Sequence, residues 1–120
     1  MDKPKILLCE DEDDSQESIK NLLTKRDYEV YTAVDGKESI EKTKDIKPDL
    51  ILLDIRMPKI DGIGVTREIR KFDNKVKIVY ITGFQSPQLF KEAAQYNISD
   101  YIVKPTSPED ILKSVKEALK

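Results

Sequence analysis

Apolar and polar positions along the chain follow two rhythms in turn. Short runs rich in branched and aromatic residues fall at Lys5–Cys9, Glu29–Ala33, Leu50–Leu53, Lys77–Thr82 and Asp100–Val103, the length and composition of strands. The stretches between them carry helical spacing. Ile19, Leu22 and Leu23 share one face of a first helix, with Asp14 and, three residues on, Glu17 predicting its capped start. Ile111, Leu112, Val115 and Leu119 form the matching stripe of a last helix, which Pro108 opens. Weaker periodicity predicts middle helices over Lys37–Lys44, Gly64–Lys71 and Pro87–Tyr96. Strand and helix thus alternate five times, which argues an α/β fold on a parallel sheet. Leu50 to Leu53 is apolar at every position, as a central strand covered on both faces requires. With no repeat, no low-complexity tract and no linker, residues 1–120 are expected to form one domain.

The polar residues matter most where strands end. In an open parallel sheet, ligands bind beyond the carboxyl ends of the strands, at the point where strand order reverses. The first strand runs into Glu10, Asp11, Glu12, Asp13 and Asp14; the third into Asp54; the fourth ends at Thr82; the fifth runs into Lys104-Pro105. Under a 2-1-3-4-5 order, Asp11 and Asp54 face each other across the crevice. Clustered carboxylates repel and stay ionised only with a cation among them. With oxygen donors and neither thiolate nor imidazole, the ion that fits is hard, Mg²⁺ or Mn²⁺. A lysine and a threonine hydroxyl beside such a cluster supply what a phosphoryl group needs, and a carboxylate can itself be the nucleophile. Taken singly, each residue reads as a helix cap, a strand-end hydroxyl or a surface lysine. Their convergence on one edge of one sheet is what points to a phosphoryl site with a metal.

Composition narrows this further. The chain has no histidine, so it carries no Ser-His-Asp triad, no histidine-ligated zinc and no phosphohistidine of its own. Its four glycines form neither a Walker loop nor a dinucleotide fingerprint. A net charge of -2 gives no electrostatic grip on nucleic acid. The single cysteine, Cys9, ends an apolar run and is expected to be a buried, inert thiol. The N-terminal apolar stretch is too short for a signal peptide and no segment has the length to span a bilayer, so a cytoplasmic location is expected.

These residues resemble the receiver domains of two-component response regulators, over essentially the whole chain. The likeness rests on Glu10-Asp11, on Leu52-Leu53-Asp54-Ile55-Arg56-Met57-Pro58 with Asp61-Gly62 after it, on Thr82-Gly83 and on Lys104-Pro105. It implies a flavodoxin-like fold, a five-stranded parallel sheet of order 2-1-3-4-5 flanked by five helices. It further implies that Asp54 accepts the phosphoryl group and that Mg²⁺ is held by Asp11, Asp54 and the Arg56 backbone carbonyl, with Glu10 supporting through water. Lys104 would neutralise a phosphoryl oxygen, its bond to Pro105 being cis. Thr82 would bond the phosphoryl group on arrival, and Tyr101 would then turn inward, altering the face of the fourth helix and fifth strand. The phosphate would come from a sensor histidine kinase or a phosphotransfer protein docking near the first helix. The output would pass to a protein target or to an output domain outside this chain, from a monomer or a phosphorylation-linked dimer. The resemblance makes the chain a switch with self-phosphorylation and autodephosphorylation activity more than a metabolic enzyme.

Some positions depart from the family pattern. Gly83 stands where another small residue is usual, Glu10 replaces the commoner aspartate, and Thr106 stands where phenylalanine is frequent. Arg56 and Phe84 occupy positions resembling those that tune dephosphorylation. Three other readings compete. An aspartyl phosphatase usually wants a second aspartate two residues after the nucleophile, where this chain has Arg56. A flavodoxin-like electron carrier needs a hydroxyl- and glycine-rich loop after the first strand, where this chain has acids. A docking module without phosphorylation would not need the chemical residues that are all present.

Overall fold

The computed structural model describes residues 3–57, 60–83 and 87–120; the expectations placed on Pro58 and Phe84 lie outside the described residues. Five strands alternate with five helices: β1 Lys5–Cys9, α1 Asp13–Thr24, β2 Glu29–Ala33, α2 Gly36–Ile46, β3 Leu50–Leu53, α3 Gly62–Arg70, β4 Lys77–Thr82, α4 Pro87–Ala94, β5 Asp100–Val103 and α5 Pro108–Ala118. The strands form one parallel sheet in the order β2-β1-β3-β4-β5. All five coincide with the apolar runs, because β1, β3 and β4 lie covered on both faces and must be apolar almost throughout.

Side chains alternate between faces along each strand, so the sheet divides the core in two. Leu7, Cys9, Ile51, Leu53, Ile78 and Tyr80 pack with Ile63, Val65 and Ile69 of α3 and Ala93 of α4, with Ile40 of α2 against them. Ile6, Leu8, Leu50, Leu52, Val79 and Ile81 pack on the other side with Ile19 and Leu23 of α1 and Ile111 and Val115 of α5. Cys9 is fully buried, and burial pushes its thiol up to about 12, in line with the inert role expected of it.

Helix ends differ from expectation in several places: α2 runs from Gly36 to Ile46, past both predicted ends, and α4 stops at Ala94, short of Tyr96. The residue before α1 is Glu12, whose side chain makes no capping bond; Asp13 and Asp14 lie inside the first turn, where their charge suits the amino end of the helix dipole. The Asp14–Glu17 capping pair is therefore not formed. Helix α3 begins at Gly62, two residues earlier than its periodicity predicts, because the Asp61 carboxylate accepts from Gly64 N at 2.9 Å and caps it. Asp35 caps α2 through Glu38 N, and Ser107 caps α5 with Pro108 following it as expected.

Candidate functional site

Strand register brings the polar strand ends together. Cys9 pairs with Leu53, and the Asp54 N–H donates to the Cys9 carbonyl at 3.0 Å, so the residues following β1 and β3 begin side by side. On the other flank, Thr82 pairs with Val103 and the Lys104 N–H donates to the Thr82 carbonyl at 2.8 Å. Glu10, Asp11 and Asp54 each offer a carboxylate oxygen within 4.8 Å of the others. Asp11 is exposed, whereas Glu10 and Asp54 are buried.

Lys104 reaches into this cluster. Its ammonium donates to Glu10 Oε1 at 2.7 Å and stands 3.5 Å from Asp54 Oδ2. The Lys104–Pro105 peptide is cis, as the resemblance implied. Asp54 Oδ1 accepts from the Arg56 N–H at 3.0 Å, which puts the Arg56 backbone against the Asp54 carboxylate. Glu10 bridges the pocket, its Oε2 accepting from Glu12 N at 3.4 Å while Oε1 holds Lys104. Thr82 is buried at the end of β4, one residue's reach from the Lys104 backbone that bonds its carbonyl.

The electrostatics follow from burial and charge count. Glu10 is held above the usual carboxylate range, chiefly by desolvation and also by the nearby Asp54, with Lys104 opposing. Burial alone would lower the Lys104 ammonium, but its bonds to Glu10 and Asp54 outweigh that and raise it. Three carboxylates against one ammonium leave two negative charges uncompensated when all are ionised. An all-oxygen donor set with that deficit fits a hard divalent cation such as Mg²⁺.

Tyr101 on β5 is half-buried between two rings. The edge of Tyr80 lies below it at 6.0 Å between centroids, and Phe90 of α4 stacks on it at 4.6 Å with an interplanar angle of 28°. Tyr80 is fully buried, and its hydroxyl bonds Thr66 Oγ1, which itself donates to the Gly62 carbonyl.

One residue at the site was not foreseen. The Gln16 amide donates to the carbonyls of Glu10 at 2.9 Å and Ala33 at 3.3 Å, pinning the turn that carries Glu10 and Asp11. On the sequence it is one polar residue among many on the outer half of α1, and only the sheet register shows its partners.

Fold and site together define an α/β domain of flavodoxin-like topology with a lysine-bridged acidic pocket at the carboxyl edge of its sheet. The chain belongs to the response regulator receiver domain family, whose model matches residues 6–116. It is 37% identical over 119 residues to the chemotaxis protein CheY of Treponema pallidum, covering 97% of this chain and 83% of that protein. With CheY of Thermotoga maritima it shares 32% over 117 residues, covering 97% and 98%. Among solved structures, a CheY-like receiver domain protein of Methanospirillum hungatei superposes with a TM-score of 0.94 at 28% identity, covering 98% of this chain and 94% of that one. A CheY of Borrelia burgdorferi in a complex with CheX, BeF₃ and Mg²⁺ superposes with a TM-score of 0.91 at 28% identity, covering 97% and 89%. This is a receiver domain of the CheY and response regulator type, and its class of work is two-component signalling. Among the described residues, no helix is long and apolar enough to cross a membrane.

Proposed function

We propose that the chain, a single receiver domain, is a phosphorylation switch in which Asp54 accepts a phosphoryl group from a phosphohistidine donor. The observation that carries this reading is the convergence of Glu10, Asp11 and Asp54 within 4.8 Å, with the Lys104 ammonium bridging two of them. Asp11, Asp54 and the Arg56 carbonyl would hold Mg²⁺, with Glu10 supporting the ion through water. Bound there, the ion would neutralise phosphoryl oxygens as charge moves onto them. The Borrelia burgdorferi CheY complex, which contains BeF₃ and Mg²⁺, supports this by similarity.

The chain's own residues do the rest. One oxygen of Asp54 attacks phosphorus; the phosphorus–nitrogen bond of the donor breaks, and its electron pair stays on the departing imidazole. Lys104 is already within reach of an Asp54 oxygen and pairs with a phosphoryl oxygen once the group arrives. Thr82, at the adjoining strand end, supplies a hydroxyl to the same group. The new contacts favour an arrangement in which Tyr101 turns inward and the surface of α4 and β5 changes. A groove of about 880 Å³ beside Lys104, walled by Ile19 and Leu22 of α1, Pro105 and Ile111, gives the donor an apolar seat next to the acceptor.

The test is intact-mass spectrometry after incubation with Mg²⁺ and a small phosphodonor, for the native chain and Asp54→Asn together. One Mg²⁺-dependent phosphate on the native chain, absent from the variant, is the expected result. No phosphate on a folded native chain would leave docking alone as the function.

A further inference from the structure

Gly36 opens α2, and a β-carbon built on it would lie 2.2 Å from the Ile60 carbonyl oxygen and 2.7 Å from Ile60 Cβ. No glycine of the chain has a positive φ, so it is room, and not backbone conformation, that demands glycine here. The residue it touches lies on the connection that starts at Asp54. That connection is tied back to its own origin: Gly62 N donates to the Ile55 carbonyl at 2.7 Å, and the Arg56 N–H to Asp54 Oδ1 at 3.0 Å. A β-carbon on Gly62 would also collide, 2.6 Å from Ile55 Cα and 3.0 Å from the Asp54 carbonyl. Ile60 is thus one residue from Asp61, which caps α3, and Gly62 is one hydrogen bond from the acceptor segment.

We propose that Gly36 is a positioning residue for the acidic pocket: its bare backbone lets α2 abut Ile60, and that contact fixes the segment carrying Asp54 and Arg56. The inference rests on the reading that the pocket binds Mg²⁺. A methyl at position 36 must displace either α2 or the Ile60 backbone. The start of α2 is the better anchored, with Asp35 accepting from Glu38 N at 2.8 Å, Glu38 accepting from Val34 N at 3.0 Å, and Ser39 fully buried. The Ile60 side therefore yields, and the shift passes through Asp61 and Gly62 to Ile55, Asp54 and Arg56.

Residues that orient metal ligands typically change affinity tenfold or more when altered, so about a tenfold weaker Mg²⁺ affinity is expected for Gly36→Ala. The experiment is calorimetric Mg²⁺ titration of the full chain in native, Gly36→Ala and Val115→Ala forms, each confirmed folded by circular dichroism. Val115 lies in the half-core on the opposite face of the sheet, so Val115→Ala destabilises the fold while keeping native affinity. A tenfold loss confined to Gly36→Ala, with the metal-free amide resonances of Ile55 and Arg56 displaced, supports the proposal. Native affinity in folded Gly36→Ala overturns it. If Gly36→Ala does not fold, Gly64→Ala decides, because its β-carbon would meet Ile60 only at Cγ2, 2.7 Å away. Weakened binding restored by adding Ile60→Ala supports the role of Ile60, and unchanged binding overturns it. Absence of Mg²⁺ binding by the native chain would instead overturn the reading of the pocket itself.

Discussion

Replacing Lys104 by Met removes the ammonium that pairs with Glu10 and Asp54 in the acidic pocket, and the burial of that pair sets the scale and the pH direction of the loss. Glu10 is 2% exposed by side chain and its partner 27%, so the pair is screened far less than a surface bridge. Breaking a buried pair by deleting one partner costs about 3–5 kcal/mol. Partial exposure of Lys104, and the ability of Glu10 to take up a proton, reduce this to about 2–3 kcal/mol for the metal-free chain. A fall in Tm of roughly 8–12 °C corresponds to that loss in a domain of this size. The sign of the pH effect follows from Glu10, whose carboxyl burial in the folded state already holds above its ordinary range. Removing the ammonium raises it further, so the penalty is full where Glu10 is ionised and vanishes as pH falls through its folded pKa. Urea unfolding of native and Lys104→Met chains at neutral pH and at the acid end of the range where both stay folded should show the deficit shrink at the lower pH. Added Mg²⁺ should recover part of it at the higher pH, since a ligand bound only by the folded chain stabilises it. A deficit under about 0.5 kcal/mol, or one identical at both pH values, would refute the reasoning.

Two further outcomes can be measured on stability alone. Among the described residues, and its chain neighbours apart, a β-carbon on Gly83 meets no atom within 4 Å and requires no positive φ, so Gly83→Ala should stabilise the chain by about 0.4–1 kcal/mol in chemical denaturation, by restricting the unfolded state. Tyr80→Phe deletes the buried hydroxyl that bonds Thr66 and should cost about 1 kcal/mol near neutral pH. Burial pushes the Tyr80 phenol from 10.0 up to about 12, so its contribution to stability is lost as pH rises across that interval. The alkaline loss of stability should therefore be shallower in Tyr80→Phe than in the native chain; equal slopes would contradict the burial of the ring.

The sheet was legible in the sequence because its signal is local. Strands buried on both faces write themselves as unbroken apolar runs, and Leu50 to Leu53 is the plainest case. The pocket was legible for a related reason: Glu10, Asp11, Asp54, Thr82 and Lys104 each follow or end a strand, and parallel strands share one carboxyl edge. Helix starts were less so. Glycines at positions 62 and 64 depress helical propensity and hide the start of α3, while the acidic run before α1 offers several equivalent caps. Contacts between distant segments left no trace. Nothing local tells that Gln16 reaches the carbonyls of Glu10 and Ala33. The same holds for Arg70, whose guanidinium donates to the carbonyls of Asp73, Val76, Tyr96 and Asn97 and so stitches two loops, the one before β4 and the one before β5.

The sheet that parts the core into two also sets how the chain can change. Groups that share no partner and lie apart combine their effects additively, whereas neighbours do not. Substitutions under the α1–α5 face, beside the groove, should therefore be nearly independent of those under α2, α3 and α4, where Tyr80, Tyr101 and Phe90 meet. Each face can be remodelled for a new associate without refitting the other. Only the strand ends belong to both halves, and there Lys104 and Glu10 leave little latitude.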